Sequence, residues 1–290
     1  MLNTRTGSFP IGFRRGWSEW QQDLSSLTAW AKTNGFQLID LGNNADTQGH
    51  VVIDAGLGVG SADLKSWQAL ISPDAEKRKR AADENLEYIS ACAKLGIKNF
   101  FTVMLPEDAS KSRRENHDLM VDGFSKLLPG MEALGAKVVV EGWPGPGALC
   151  CTPESYRAAI VDCGSPALGI NFDPSHLLRM GIDPLRFAVE FADSIHHVHG
   201  KDTEIYSENV YEYGTEQPPT KFGGFGFGSA TWRYTIPGHG QVRWVSIFDA
   251  LAKAGYAGGV SIELEDENFN GSTEGEQNGL LFGGRFLQGC

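Results

Sequence analysis

The 290-residue chain carries 25 basic and 36 acidic residues, and its net charge of −11 opposes binding to a nucleic-acid backbone by electrostatics alone. No stretch is long and apolar enough to span a bilayer, and the first residues lack the apolar core of a secretion signal, so a soluble cytoplasmic protein is expected. Five cysteines (Cys92, Cys150, Cys151, Cys163 and Cys290) contain no Cys-x-x-Cys spacing, which speaks for a reducing compartment and against a structural zinc site or a disulfide framework.

Ser8 to Phe13 reads as a first strand, and Leu24 to Lys32 has helical spacing up to Asn34-Gly35. Phe36 to Leu41 is a second strand and Val51 to Ala55 a third, followed by Gly56-Leu-Gly-Val-Gly60. That glycine spacing is not a dinucleotide fingerprint. Asp74 to Leu95 is the clearest helix, with Ala82, Leu86, Ile89 and Ala93 on one face and Gly96 at its end. Its basic run Lys77-Arg78-Lys79-Arg80 is flanked by Asp74, Glu76, Asp83 and Glu84, so a face laced with ion pairs is expected rather than a phosphate patch.

Asn99 to Met104 is a strand, a helix runs from about Asn116 to Leu134, and Lys137 to Val140 is a strand ending at Glu141. Thr152-Pro-Glu-Ser opens a helix with Thr152 as cap. The strand 167 to 172 ends at Asp173, a helix follows Asp183-Pro184 to about Ala192, and the strand 195 to 199 ends at His199. Residues 203 to 238, rich in Gly, Tyr and Phe with Gly223-Gly-Phe-Gly-Phe-Gly228 inside, break the rhythm and read as a lid. Val242 to Ala254 is helical, Gly258 to Glu263 is the last strand, and Gly279 to Phe286 is a short closing helix.

Strands and helices alternate without a linker, which implies a parallel sheet, and seven or eight such units fit a closed barrel of a single domain over 1–290. In such a barrel all strand ends point one way, so Glu141, Asp173, His199 and Glu263 meet at one mouth. Three carboxylates and one imidazole suit Mn²⁺ or Mg²⁺ and accept Co²⁺ or Zn²⁺. Each also has a plainer role: Asp173 before Pro174 caps a turn, and His199 is a hydrogen-bonded core residue. His197 shares the His199 face and His196 points away, and Glu265 shares the face of Glu263, which leaves a ligand assignment two residues further on open.

A family resemblance is carried by Glu141-Gly-Trp-Pro, Asn171-Phe-Asp-Pro-Ser-His176, His197-Val-His-Gly-Lys-Asp202, Ile236-Pro-Gly-His-Gly240 and Ser261-Ile-Glu-Leu-Glu-Asp266. Together these resemble the xylose-isomerase-like sugar phosphate isomerase/epimerase superfamily, with its ketose 3-epimerases and inosose isomerases, over about residues 8 to 285. The resemblance implies a (β/α)₈ TIM barrel and a divalent metal, Mn²⁺ first, on Glu141, Asp173, His199 and Glu263. It also implies Glu141 and Glu263 as the acid/base pair and His176 beside a substrate oxygen. The arginine that ketose 3-epimerases place six residues after the metal histidine is Ile205 here, and Lys201 is expected to supply the cation instead. Lys201, Arg233, His239 and Trp143 are the further expected substrate contacts.

The expected activity is isomerisation or epimerisation of a small carbohydrate through an enediolate, in a homo-oligomer. The alternative is elimination on a 3-keto-glycoside with a small partner subunit, as in C-glycoside deglycosidases, which resemble the superfamily. A nuclease of this barrel type disagrees with the acidic charge, and a non-catalytic sugar binder would need neither glutamate as a base.

Overall fold

A computed structural model describes all 290 residues. Its strands are β1 (Ile11–Arg14), β2 (Leu38–Asp40), β3 (Ala62–Asp63), β4 (Asn99–Val103), β5 (Lys137–Glu141), β6 (Leu168–Phe172), β7 (Ile195–Gly200), β8 (Asp202–Ile205), β9 (Trp232–Thr235) and β10 (Val260–Ile262). Eight of them form one parallel sheet in the order β2-β1-β10-β7-β6-β5-β4-β3. A parallel bridge between Leu41 and Ala62 joins the two ends, so the sheet closes into the expected TIM barrel.

Around it lie α1 (Leu24–Thr33), α2 (Ala45–Asp54), α3 (Ala75–Lys94), α4 (Arg113–Ala133), α5 (Pro153–Cys163), α6 (Pro174–Arg179), α7 (Pro184–Phe191), α8 (Ser207–Tyr213), α9 (Trp244–Lys253) and α10 (Thr273–Gly289). No helix is long and apolar enough to cross a membrane. The period of two along the strands sorts side chains into two populations. Val138, Val140, Ile170, Phe172, Val198, Val260 and Ile262 join a continuous core of 55 buried apolar residues. Their neighbours Glu141, Asn171, His197, His199 and Ser261 face into the barrel, where they contact one another and Asp40. The barrel interior is therefore polar near its mouth.

The Thr152 cap read from the sequence is present, accepting from the Ser155 amide, and Asp74 caps α3 by accepting from the Glu76 and Lys77 amides. The basic run on α3 is taken up by ion pairs of Lys77 with Glu107, Arg78 with Asp122 and Lys79 with Asp83. Three expectations are corrected. Val51 to Ala55 is not a strand but the end of α2. Its β-branched run suggests a strand, whereas Ala45, Gly49 and Val52, at helical spacing, are the buried positions. The true third strand is the two-residue β3 beyond the glycine loop. The closing helix is 17 residues long rather than eight or so, because Gly279 and Gly283 are contact points, not breaks. A Cβ at Gly279 would come within 2.9 Å of Leu264, and one at Gly283 within 3.2 Å of Pro237.

The third correction concerns residues 203 to 238, which do not form a structureless lid. β8 and β9 pair antiparallel, from Asp202 opposite Thr235 to Ile205 opposite Trp232, with α8 between them. Two fully buried carboxylates fasten the base of this hairpin. Asp202 accepts from the amides of Thr203 (2.8 Å), Val242 (2.9 Å) and Gly238 (3.2 Å) and from the Trp244 indole (3.1 Å). Asp266 accepts from Arg233 Nη1 and the Ile236 amide, both at 3.1 Å. Asp202→Ala leaves four donors unpaired, of which the Thr203 amide and the Trp244 indole are buried, and is expected to cost about 3 kcal/mol in urea unfolding, with the near-UV signal of Trp232 and Tyr234 weakened. A loss under about 0.5 kcal/mol would show that the hairpin base does not depend on this carboxylate.

Candidate active site

Parallel strands deliver their last residues to one end, and here that end collects acids, imidazoles and one lysine. Glu141 closes β5, Asp173 caps α6 directly after β6, His199 lies near the end of β7 and Glu263 follows β10. His199 Nδ1 is 2.6 Å from Glu141 Oε2 and 3.5 Å from Glu263 Oε2. Glu141, Asp173, His176 and Glu263 each offer one ligand atom, and these lie within 4.8 Å of one another. Three of the four groups expected as ligands thus come together with His176, whose Nε2 is 3.3 Å from Glu141 Oε1 and 3.4 Å from Asp173 Oδ2, whereas His199 is grouped with Asp40 and His197 and reaches the set through Glu141 and Glu263.

Ionisation in this cluster is set by charge acting against burial. Burial and the charge of Glu263 both push the Glu141 carboxyl up, yet His199 and His176 overrule them and hold it below the usual carboxylate range. Glu263 is opposed by burial and held far down by Lys201, His199 and Arg14. His199 loses hydration on burial, but Glu141 and Glu263 outweigh that and push it far above the usual imidazole range.

Lys201 is 1% exposed. Its Nζ donates to Glu263 Oε2 at 2.5 Å and Glu265 Oε2 at 2.9 Å, lies 3.2 Å from Asp173 Oδ2, and sits 4.5 Å above the Tyr234 ring. Glu265 therefore shares the lysine with Glu263 and stands outside the 4.8 Å group. The Tyr234 hydroxyl lies 2.6 Å from His176 Nδ1. When that hydroxyl donates, the remaining proton of a neutral His176 is on Nε2, facing the carboxylates.

Below the cluster, buried Asp40 accepts from Ser261 Oγ (2.8 Å) and the Ser61 amide (3.1 Å) and bonds His197 Nε2 (2.8 Å). His199 Nε2 is 3.6 Å from the same carboxylate, an electrostatic contact and not a hydrogen bond. Only glycine fits at position 60, since a Cβ there would stand 2.3 Å from Asp40 Oδ1. Beside the cluster, Arg14 holds Asp63 through two bonds of 2.8 and 3.0 Å and approaches Glu263 Oε1 at 3.4 Å.

The other expected contacts lie elsewhere. Arg233 is engaged by Asp266, Glu204 and Tyr206 at the hairpin base. His239 is exposed and packs against Phe269, and Trp143 is 37% exposed on the loop after β5. Sequence reading missed Arg14, Asp40, Asp63 and Tyr234. A signal existed for Asp40, a lone carboxylate inside the apolar run 36 to 41, and for Arg14, which directly follows the first strand as read. Tyr234 gave none, being one aromatic among many in its segment.

The donors fit a divalent cation on two counts. Asp173 Oδ2 and His199 Nδ1 are buried and make no hydrogen bond, although each lies close to neighbouring polar atoms. Glu141, Asp173 and Glu263 with the His176 imidazole, within 4.8 Å of one another, are also a hard, oxygen-rich donor set.

The family model described as xylose isomerase-like TIM barrel matches residues 13–282. Among curated relatives, an uncharacterised protein of Bacillus subtilis, YfiH, is 34% identical over 157 residues, 51% of this chain and 47% of that protein. Inosose dehydratase of Geobacillus thermodenitrificans is 28% identical over 155 residues, 53% of this chain and 48% of the enzyme. The chain spans about half the length of the curated relatives it matches. Two solved structures share the fold: 3-keto-D-glucoside 4-epimerase of E. coli (TM-score 0.71, 16% identity, 97% of this chain and 100% of that one) and a D-psicose 3-epimerase (0.70, 17%, 97% and 100%).

Asp40 orients His197 by hydrogen bond and His199 by charge, so Asp40→Asn is expected to weaken Mn²⁺ binding about 10- to 100-fold in isothermal titration, with the far-UV spectrum retained. Unchanged affinity would show that Asp40 plays no part in cation binding.

Proposed function

The chain belongs to the xylose isomerase-like TIM barrel family, and from that premise we propose that it is a divalent-metal-dependent sugar or polyol isomerase or epimerase, abstracting a proton beside a carbonyl. One observation carries this reading: Glu141 and Glu263, both held ionised, bring carboxylate oxygens into one 4.8 Å cluster. Their strands, β5 and β10, are separated by β6 and β7 in the barrel, so the two bases approach from different sides. A planar enediolate needs groups placed that way.

Glu141, Asp173, His199 and Glu263 would hold the cation, with Mn²⁺ first among Mn²⁺, Mg²⁺, Co²⁺ and Zn²⁺ by donor type. When bound, it polarises the carbonyl and offsets the charge left as the proton departs. The side chains do the rest. One glutamate takes the proton; in isomerisation it returns it to the adjacent carbon while a hydroxyl proton passes between the two substrate oxygens, and in epimerisation the other, having first taken up a proton from solvent, delivers it to the opposite face. His176 Nε2–H, its tautomer set by Tyr234, and the Lys201 ammonium are the donors for substrate oxygens. Arg233, His239 and Trp143 would meet only the outer parts of a substrate.

The second reading, elimination on a 3-keto-glycoside, shares the first proton step and differs in the departure of a leaving group. It is favoured by the space beside Arg14, about 530 Å³, which exceeds the needs of one sugar ring. A small partner subunit belongs to that reading, and a homo-oligomer to the first.

Glu141→Gln and Glu263→Gln are each expected to lower deuterium uptake into a ketose or 3-keto-glucoside in D₂O by about 10²- to 10⁴-fold, followed by NMR on the Mn²⁺-loaded protein. Uptake at the wild-type rate in both variants would sink the mechanism, and release of an aglycone by the wild type would select elimination. Addition of Mn²⁺ is expected to raise Tm, since only the folded chain assembles the donors, and the rise should shrink in Glu263→Gln. An unmoved Tm at millimolar Mn²⁺ would argue that the cluster is not a metal site.

A further inference from the structure

Two cavities adjoin the Arg14 guanidinium. One, about 330 Å³, lies on the β10 side and is lined by Glu263, Glu265 and Trp17; the other, about 530 Å³, lies on the β3–β4 side and is lined by Asp63, Trp67, Gln68 and Phe101. Because β1 stands between β10 and the β2–β3 junction, Arg14 at the end of β1 divides them. It is a fixed post: Asp63 grips it through two hydrogen bonds, and its guanidinium lies 4.4 Å above the Phe101 ring. Phe101 in turn stacks on His199, with ring centroids 5.4 Å apart.

We propose that the β3–β4 cavity is a subsite for an uncharged sugar ring, joined by a glycosidic bond to the ring that reacts at Glu141 and Glu263. The proposal rests on the proton-abstraction reading of that cluster and names the class of substrate it takes. Position is the first argument, since the cavity starts at the Arg14–Glu263 contact and runs away from the base. Size is the second: pockets of about 300 to 1,000 Å³ hold ligands larger than one hexose.

The lining is the third argument. Trp67 brings an indole ring, an apolar partner for the C–H side of a pyranose, into the lining, and Asn43, Ser66 and Gln68 bring donors and acceptors for its hydroxyls. Charge is the fourth. The two cations of the lining are already taken, Arg14 by Asp63 and Lys77 by Glu107 at 2.5 Å, so neither is left for a phosphate or carboxylate substituent. Backbone conformation is the fifth. Ser66, the residue that introduces Trp67, sits in the left-handed region at φ 45° and ψ 33°. A non-glycine residue there costs about 1 kcal/mol or more, and such strain collects where a side chain must be aimed.

The test uses substrates with the same reacting ring and different substituents: a 3-keto-disaccharide, the corresponding methyl 3-keto-glucoside and a phenyl 3-keto-glucoside. Deuterium exchange on the Mn²⁺-loaded full chain gives kcat/KM for each. The wild type is expected to favour the disaccharide over the methyl glycoside by at least about tenfold, or 1.4 kcal/mol. Trp67→Ala and Gln68→Ala should each bring that ratio toward one, mainly through KM. No preference in the wild type, or an equal loss on both substrates in the variants, overturns the subsite. A preference for the phenyl glycoside over the disaccharide overturns its assignment to a sugar ring.

If no substrate exchanges deuterium, the mechanism falls and the subsite is decided by binding alone. Saturation-transfer NMR with the unreactive disaccharide should show contact in the wild type and its loss in Trp67→Ala. Absence of contact in the wild type overturns the proposal.

Discussion

The mouth of this barrel gathers more negative charge than a buried site can hold uncompensated. Asp40, Asp63, Glu141, Asp173, Glu263 and Glu265 crowd around one axis; Asp40, Glu141 and Asp173 are buried and the other three half-buried. Removing a carboxylate from water costs several kcal/mol unless cations and hydrogen bonds replace the lost hydration. The neighbouring residues answer that demand. Lys201 is buried to its tip among three carboxylates, Arg14 is shared between Asp63 and Glu263, and His199 holds its proton far more tightly than usual. A site that draws a proton onto a buried imidazole is one that a divalent cation would also neutralise.

The hairpin belongs to the same electrostatic arrangement. Its sequence resembles a lid because glycine and aromatic residues dominate it, but its base is fastened to the barrel at two buried carboxylates. That fastening fixes Tyr234, whose hydroxyl meets His176 and whose ring faces both Lys201 and Arg179. One aromatic residue on an inserted strand thus touches an imidazole and a cation of the cluster. The segment is a wall of the site more than a cover for it.

What was legible in the sequence follows from how its signals arise. Apolar runs ending in an acid or a histidine marked β5, β6, β7 and β10, because a strand buried on one face and facing a reactive mouth at its end must change character there. The short strands gave weaker signals. β3 has two residues and lies behind a glycine loop, so the β-branched stretch of α2 drew the assignment away from it. Asp40 stood out only as a lone carboxylate in an apolar run, and Asp63 not at all, because strand closure, not sequence proximity, brings them to the cluster. Tyr234 acts through a partner 58 positions away, a relation invisible to any local pattern, and although Arg14 directly follows the first strand, its partner Asp63 is 49 positions away.

The position of Ile205 shows why a motif changes within a shared fold. The ketose 3-epimerases that the sequence resembles carry an arginine six residues after the metal histidine. Here that position is the last residue of β8, paired across the hairpin with Trp232, and its direction is set by the pairing. An arginine there would be committed to the hairpin. The cations instead come from positions whose direction the barrel fixes: Lys201, between β7 and β8, and Arg14, at the end of β1. Arg14 also divides the space available to a substrate.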